Sequence, residues 1–255
     1  ALAMVAIIKG YKCILAVSDK TKPEKMSYLK ALGAEVHICP ANVEPDDPRS
    51  YYETAKRIAQ ETPNAIYINQ YFNELNIDAH YQSTGREIWE QTEGKITHLF
   101  ACTGTGGTIS GTAKFLKEKN PNIKVIGVDA DGSILKGYFD TGKINKEDIH
   151  PYQIEGMGKN LIPSALLFSL IDEYERVNDK DAALRVREIA LSEAIFGGYT
   201  TGAVMQGFLQ YVEKNPLSKD DLAVLIFPDH GSRYISKVYS DQWMQEQGFL
   251  PSHKE

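Results

Sequence analysis

Short apolar runs alternate with amphipathic stretches along this chain, and the two periods separate cleanly. Apolar residues at helical spacing predict helices over residues 1–9, 23–32 and 50–61, and compact apolar runs between them predict strands at 12–17, 35–39 and 65–68. Gly10 and Gly33 punctuate the first two helices, where a residue without a Cβ can take the left-handed conformation of a helix C-terminus. Past an Asn-rich loop, "NQYFNELN" at 69–76, the pattern resumes as helix 76–92, strand 96–102, helix 107–119 and strand 124–129. Such a βα alternation implies a parallel sheet with right-handed crossovers. From 130 to 180 Gly, Asp and Lys interrupt the pattern, which reads there as loop with a few short elements. Order returns with helix 180–194, the turn "FGGYTTGA", helix 202–214, strand 222–227 and a closing segment from Pro228. A seam near 69–75 divides the chain into two α/β domains, residues 1–69 and 70–255. The chain opens at Ala1 already inside a helical pattern with no cap before it, which is the expectation for a chain lacking its N-terminal segment.

Composition narrows the partners. A chain of 255 residues, 42% hydrophobic and 24% charged, can bury a substantial core. Its formal charge of −6 and the absence of a Lys/Arg stripe argue against nucleic acid and favour a small-molecule partner. The apolar opening is too short for a membrane span and lacks the basic flank of a signal peptide. Cys13, Cys39 and Cys102 show no C-x-x-C spacing and sit in or beside apolar runs, which fits unpaired thiols in a reducing cytoplasm.

The densest chemical signal is "FACTGTGGTISG" at 100–111, a strand running through Gly104, Thr105, Gly106, Gly107 and Thr108 into a helix. That arrangement converges backbone N–H groups on an anion at a helix N-terminus, and the expected ligand is a phosphate. The glycines are expected to clear Cβ atoms from the anion's path, and the threonines to add hydroxyl donors. A P-loop would need Gly-Lys-Ser/Thr at the helix start, whereas the next lysine is Lys114. The dinucleotide fingerprint stays open: Gly104-x-Gly106 matches its first half and Asp129 stands where a ribose-binding acid would, although its third glycine falls on Ile109. A second small-residue turn, "GGYTTGA" at 197–203, places Thr200 and Thr201 before a helix, either to cap it or to face a ligand.

Together "GTGGTISG", "IGVDADGSIL", "EGMGKNLIP", "QYFNELNIDAHYQSTGREIW" and "SDQWMQEQGFL" resemble, in order and over essentially the whole chain, the cysteine synthase/cystathionine β-synthase family of fold type II pyridoxal-phosphate enzymes. Two of these segments, "GVDADGSIL" and "SDQWMQEQGFL", look more like the cystathionine β-synthase branch than like O-acetylserine sulfhydrylase. The resemblance implies an α/β fold of two parallel-sheet domains, the smaller N-terminal one incomplete here, with residues 70–255 forming the larger cofactor-binding domain. It implies that Gly104 through Thr108 cradle the 5′-phosphate of pyridoxal phosphate and that the Thr200 hydroxyl meets its pyridine nitrogen. A neutral hydroxyl there makes the ring a weaker electron sink than a carboxylate would, which suits β-elimination. Gln70 and Tyr71 match substrate-binding positions, Gln70 at the substrate carboxylate, and Gly156 matches a loop that closes over bound amino acid. The implied reaction is β-replacement, in which serine or an activated serine exchanges its β-substituent for a thiol, giving cystathionine with homocysteine or cysteine with sulfide. The implied assembly is a homodimer. The family's Schiff-base lysine and its Ser/Thr-Gly-Asn-Thr-Gly loop precede the helix that begins at Ala1, so no catalytic residue is assigned in this chain and the role is not carried to Lys9, Lys12 or Lys159. The lysine is expected upstream. A non-catalytic phosphate-binding or interaction module that lost the lysine is the reading of another class. Lys159 stands where synthases often have tyrosine, and "PDHGSR" at 228–233 also departs from common family wording; its His230 reads as a turn residue or as one approaching the cofactor.

Overall fold

The computed structural model describes residues 2–19, 21 and 23–251. The chain divides into two compact units, Ala1–Asn69 and Gln70–Glu255.

In the first unit, α1 (Leu2–Ile8), β1 (Ile14–Ser18), α2 (Pro23–Ala31), β2 (Glu35–Cys39) and α3 (Tyr51–Glu61) follow the expected order. β1 and β2 pair in parallel, with Ile14 opposite Glu35. Gly10 and Gly33 both take φ of +73°. Ser50 caps α3 by accepting the Glu53 amide at 3.1 Å. The strand expected at 65–68 does not form. Its β-branched residues suit a strand, but the run joins neither sheet and Ile66 is 79% exposed.

The second unit is built on a four-stranded parallel sheet in the order β5-β4-β3-β6, formed by β3 (His98–Cys102), β4 (Lys124–Ala130), β5 (Glu173–Val177) and β6 (Ala223–Leu225). Alternate residues of β3 serve opposite faces. Leu99 and Ala101 pack with Ile109, Ala113 and Leu116 of α6 (Gly107–Lys119), whereas Phe100 packs with the helices α8 (Asp179–Glu193) and α9 (Tyr199–Lys214). Phe100 is fully buried, with its ring centroid 5.2 Å from that of Phe208 and 5.3 Å from that of Tyr211. Its burial is worth roughly 2–3 kcal/mol.

Three stretches of the second unit differ from the sequence expectation. The helix expected over 76–92 is interrupted: α4 (Leu75–His80) passes through a π-helical turn at Tyr81–Gly85 into α5 (Arg86–Gln91). At the turn Gly85 lies so close to α6 that a Cβ there would stand 2.8 Å from Phe115 Cβ. The stretch read as loop holds α7 (Leu135–Thr141) and the edge strand β5. β5 looks polar because Glu175 sits in it, yet that residue is buried and its carboxylate receives the Lys214 ammonium from α9 at 2.7 and 2.8 Å. Finally, α9 starts at Tyr199 rather than 202, so Thr200 and Thr201 belong to its first turn. The closing segment carries α10 (Asp241–Glu246), capped by Ser240. Among the described residues no helix is long and apolar enough to cross a membrane.

Candidate active site

The sheet changes its winding direction between β3 and β6, and a cavity of about 270 Å³ opens beyond the carboxyl ends of these two strands. This is where parallel α/β sheets hold ligands. Two helices begin at the cavity, and both begin bare. α6 has Gly106 at its N-cap position, with φ of +91° and no side-chain cap, and α9 has Gly198 there, likewise without one. Neither carries an acidic residue in its first turn. Elsewhere Asn178 caps α8, as Ser50 and Ser240 cap α3 and α10, while α4 and α7 also start without a side-chain cap but away from the cavity wall. Helix geometry leaves the first-turn amides of α6 without intrahelical acceptors, so their dipoles and donors point into the cavity.

The glycines act differently from the expectation. A Cβ on Gly104 would stand 2.7 Å from the Gly156 carbonyl, one on Gly106 2.4 Å from Leu166 Cα, and one on Gly107 2.1 Å from Asn76 Oδ1. The space they clear is taken by the chain itself, which brings the 156–166 segment and α4 against the turn. What the turn offers a ligand is its amide edge and hydroxyls. Thr105 Oγ1 accepts from Asn76 Nδ2 at 3.2 Å and keeps its own proton to donate, and the same Asn76 amide donates to the Gln70 carbonyl at 2.9 Å. Thr108 Oγ1 meets His80 Nε2 at 3.1 Å, and His80 Nδ1 meets Thr84 Oγ1 at 2.9 Å. Burial lowers the His80 pKa, which disfavours a charged imidazolium beside the turn.

Thr200 lines the opposite wall and is only 3% exposed, and its carbonyl accepts from the Cys102 thiol at 3.4 Å. Burial pushes that thiol's pKa up, so it stays protonated. No side chain caps α9, which removes the capping role for Thr200 and Thr201. Gly156 takes φ of +93° and faces the Thr200 methyl, 3.7 Å from where a Cβ would sit. Asp229 also lines the cavity. Its Oδ2 accepts from Tyr234 at 3.1 Å, but its buried Oδ1 has no hydrogen-bond partner. No local sequence signal singles out Asp229, whose Oδ1 packs against Gly198, where a Cβ would stand 1.8 Å away.

The cavity wall thus gathers Gly104, Thr105, Gly106, Thr108, Gly156 and Thr200. Gly107, Gln70 and Tyr71 lie outside that lining, Gln70 exposed and Tyr71 half-buried, tied to the turn through Asn76. His230 is exposed and caps a short turn by accepting the Ser232 amide at 3.3 Å, so it is a turn residue. Asp129 is fully buried at the end of β4, with Oδ2 accepting the Lys136 amide at 2.9 Å, and is absent from the cavity wall, which withdraws it as a ribose-binding acid.

Burial raises the Asp129 carboxyl from 3.8 to about 6. An acid whose pKa rises on folding favours the folded state when protonated, so its contribution is full below the ordinary value and is lost as pH rises through about 6. Asp129→Asn is expected to flatten the dependence of the urea midpoint on pH between about 4 and 6. Ligand affinity should not change, and a large loss of affinity for pyridoxal phosphate would return Asp129 to the site.

A family model described as pyridoxal-phosphate dependent enzyme matches residues 1–229. The cystathionine beta-synthase of Saccharomyces cerevisiae is 38% identical over 251 residues, covering 96% of this chain and 49% of its own length. That of Oryctolagus cuniculus is 38% identical over 249 residues, covering 98% and 44% respectively, and that of Apis mellifera is 39% identical over 249 residues, covering 98% and 48%. The chain spans about half the length of the curated relatives it matches. The crystal structure of a hydrogen sulfide-producing enzyme from Fusobacterium nucleatum matches with a TM-score of 0.81 at 32% identity, over 91% of this chain and 75% of that one.

Proposed function

Because the chain belongs to the family of pyridoxal-phosphate-dependent enzymes, we propose that the cavity of its second unit binds pyridoxal 5′-phosphate and that the whole protein carries out β-replacement on serine or an activated serine by a thiol, forming cystathionine from serine and homocysteine. The observation that carries the reading is the pair of uncapped, glycine-started helices opening on one cavity.

The residues present fit this cofactor. Bare N–H groups at a helix start suit a phosphate dianion. The buried Thr200 hydroxyl suits a ring nitrogen, and the orphaned Asp229 oxygen is an acceptor open to a donor. When bound, pyridoxal phosphate supplies an electron-accepting ring that eases bond cleavage at the amino-acid substrate.

The chain's own residues would do the rest. The amides of Gly104, Thr105, Gly106, Gly107 and Thr108 would hold the phosphate, with the Thr105 and Thr108 hydroxyls steadied by Asn76 and His80. Thr200 would meet the ring nitrogen without adding charge. Ala101, Ile109 and Ile226 line the cavity with apolar surface that excludes water, which strengthens each polar contact inside. Gln70 would receive the substrate carboxylate beside Tyr71, and Gly156 would leave room over the bound amino acid. The same proposal takes residues 1–69 as the remainder of a smaller N-terminal α/β domain, residues 70–255 as the cofactor-binding domain, and the protein as a cytoplasmic homodimer.

Steady-state assay of the full-length protein with serine or O-acetylserine against homocysteine or sulfide tests this. Cystathionine from serine and homocysteine is the expected product. Cysteine from O-acetylserine and sulfide alone would move the protein to the synthase branch, and no product from any pairing would end the β-replacement reading.

A further inference from the structure

We infer that Lys159 reads a carboxylate on the thiol-bearing second substrate, an assignment that rests on the β-replacement reading. Lys159 closes the turn whose Glu155 and Gly156 line the cavity. Its backbone is pinned on both sides: its N–H donates to Ser133 Oγ at 2.9 Å, and its carbonyl accepts the Ile134 amide at 2.9 Å. The side chain runs to Tyr71, with Nζ 3.4 Å from the phenolic oxygen and 4.9 Å from the ring centroid. Tyr71 is itself fastened, because its carbonyl accepts the Ala165 amide at 3.2 Å, next to the Leu166 that packs on Gly106. Neither Lys159 nor Tyr71 is part of the cavity wall itself, but both belong to segments that touch the phosphate turn, Lys159 three residues beyond the wall residue Gly156.

Lys117, Lys136, Lys214 and Lys237 of the same unit each meet a carboxylate, from Asp172, Asp140, Glu175 and Glu155 respectively. Among the described residues the Lys159 ammonium lies over a ring with no carboxylate paired to it, as do those of Lys114 over Tyr81 and Lys119 over Phe115, but Lys159 is the one of the three that follows a cavity-lining turn. A cation over an aromatic face is held without being neutralised, and an ammonium has three donors of which Tyr71 takes one. An incoming carboxylate answers both the remaining donors and the charge, which an uncharged thiol or sulfide does not. Because Lys159 is half-buried, that contact is screened less than one between fully exposed groups.

The test uses the full-length protein, serine, and two thiols of equal length, 3-mercaptopropionate and 3-mercapto-1-propanol, which differ only in carrying a carboxylate or a hydroxymethyl group. Wild type is expected to show kcat/KM about tenfold or more higher for the carboxylate thiol. Lys159→Met keeps the apolar stem against Tyr71 and should lower only the carboxylate arm, while Lys159→Arg should keep the preference. Equal use of the two thiols by wild type, or a parallel fall for both in Lys159→Met, overturns the assignment while leaving β-replacement standing. Turnover with neither thiol speaks against the reaction instead, so a calorimetric titration with 3-mercaptopropionate alone reads the ammonium separately. Binding about tenfold weaker in Lys159→Met supports the inference; equal binding, or none to wild type, overturns it.

Discussion

Gly106→Ala is expected to lower affinity for pyridoxal phosphate by at least about 100-fold and to destabilise the second unit by several kcal/mol. Two costs act together at this position. The backbone holds φ of +91°, which an L side chain rarely adopts, and the new Cβ would lie 2.4 Å from Leu166 Cα and 2.6 Å from its nitrogen. The obstacle is backbone, so no rotamer change relieves it. The turn or the 163–166 segment has to move, and either movement spreads the first-turn amides of α6 that face the cavity. Gly142 supplies the control. It has φ of +68° with nothing within 4 Å of where a Cβ would stand, so Gly142→Ala should cost about 1 kcal/mol and leave cofactor affinity unchanged. Equilibrium binding and urea midpoints on both variants separate local strain from loss of the site. Wild-type affinity in Gly106→Ala would refute the role given to the turn.

Gly107→Ala should act through a neighbour, and its effect should depend on that neighbour. Its Cβ would stand 2.1 Å from Asn76 Oδ1, displacing the side chain whose Nδ2 joins the Gln70 carbonyl to Thr105 Oγ1. Each lost hydrogen bond is worth about 1 kcal/mol, so Gly107→Ala and Asn76→Ala should each weaken cofactor binding about tenfold. The double variant should bind no worse than Asn76→Ala alone, because the collision disappears with the amide. Additive losses would mean that Gly107 acts independently of Asn76.

The strand-turn-helix form of residues 98–119 was legible because apolar period, glycine and threonine all fall within one short stretch. The family was legible too, since its segments recur in order, and the match to the family model bears it out over residues 1–229. What escaped depends on residues distant in sequence. β5 reads as polar until Lys214 is brought to Glu175, and α7 is obscured by Gly137, whose Cβ would collide with Asp148 Oδ2 at 2.5 Å. The glycines of the turn were recognisable as a requirement for space, but that Leu166, Asn76 and Gly156 occupy the space follows only from packing. Asp229 was not singled out in the sequence, since its unpartnered oxygen and its packing against Gly198 appear only in the folded chain. The run at 65–68 fails in the opposite sense, because strand-forming residues make a strand only where a ladder forms.

The central claim is that the bare amides of α6 hold a phosphate group. Comparing the affinity of the full-length protein for pyridoxal 5′-phosphate and for pyridoxal, which lacks only the phosphate, tests it most directly. Several charge-assisted hydrogen bonds depend on that group, so pyridoxal should bind at least about 100-fold more weakly and inorganic phosphate should compete with the cofactor. Equal affinity for the two compounds, with no competition by phosphate, would contradict the account.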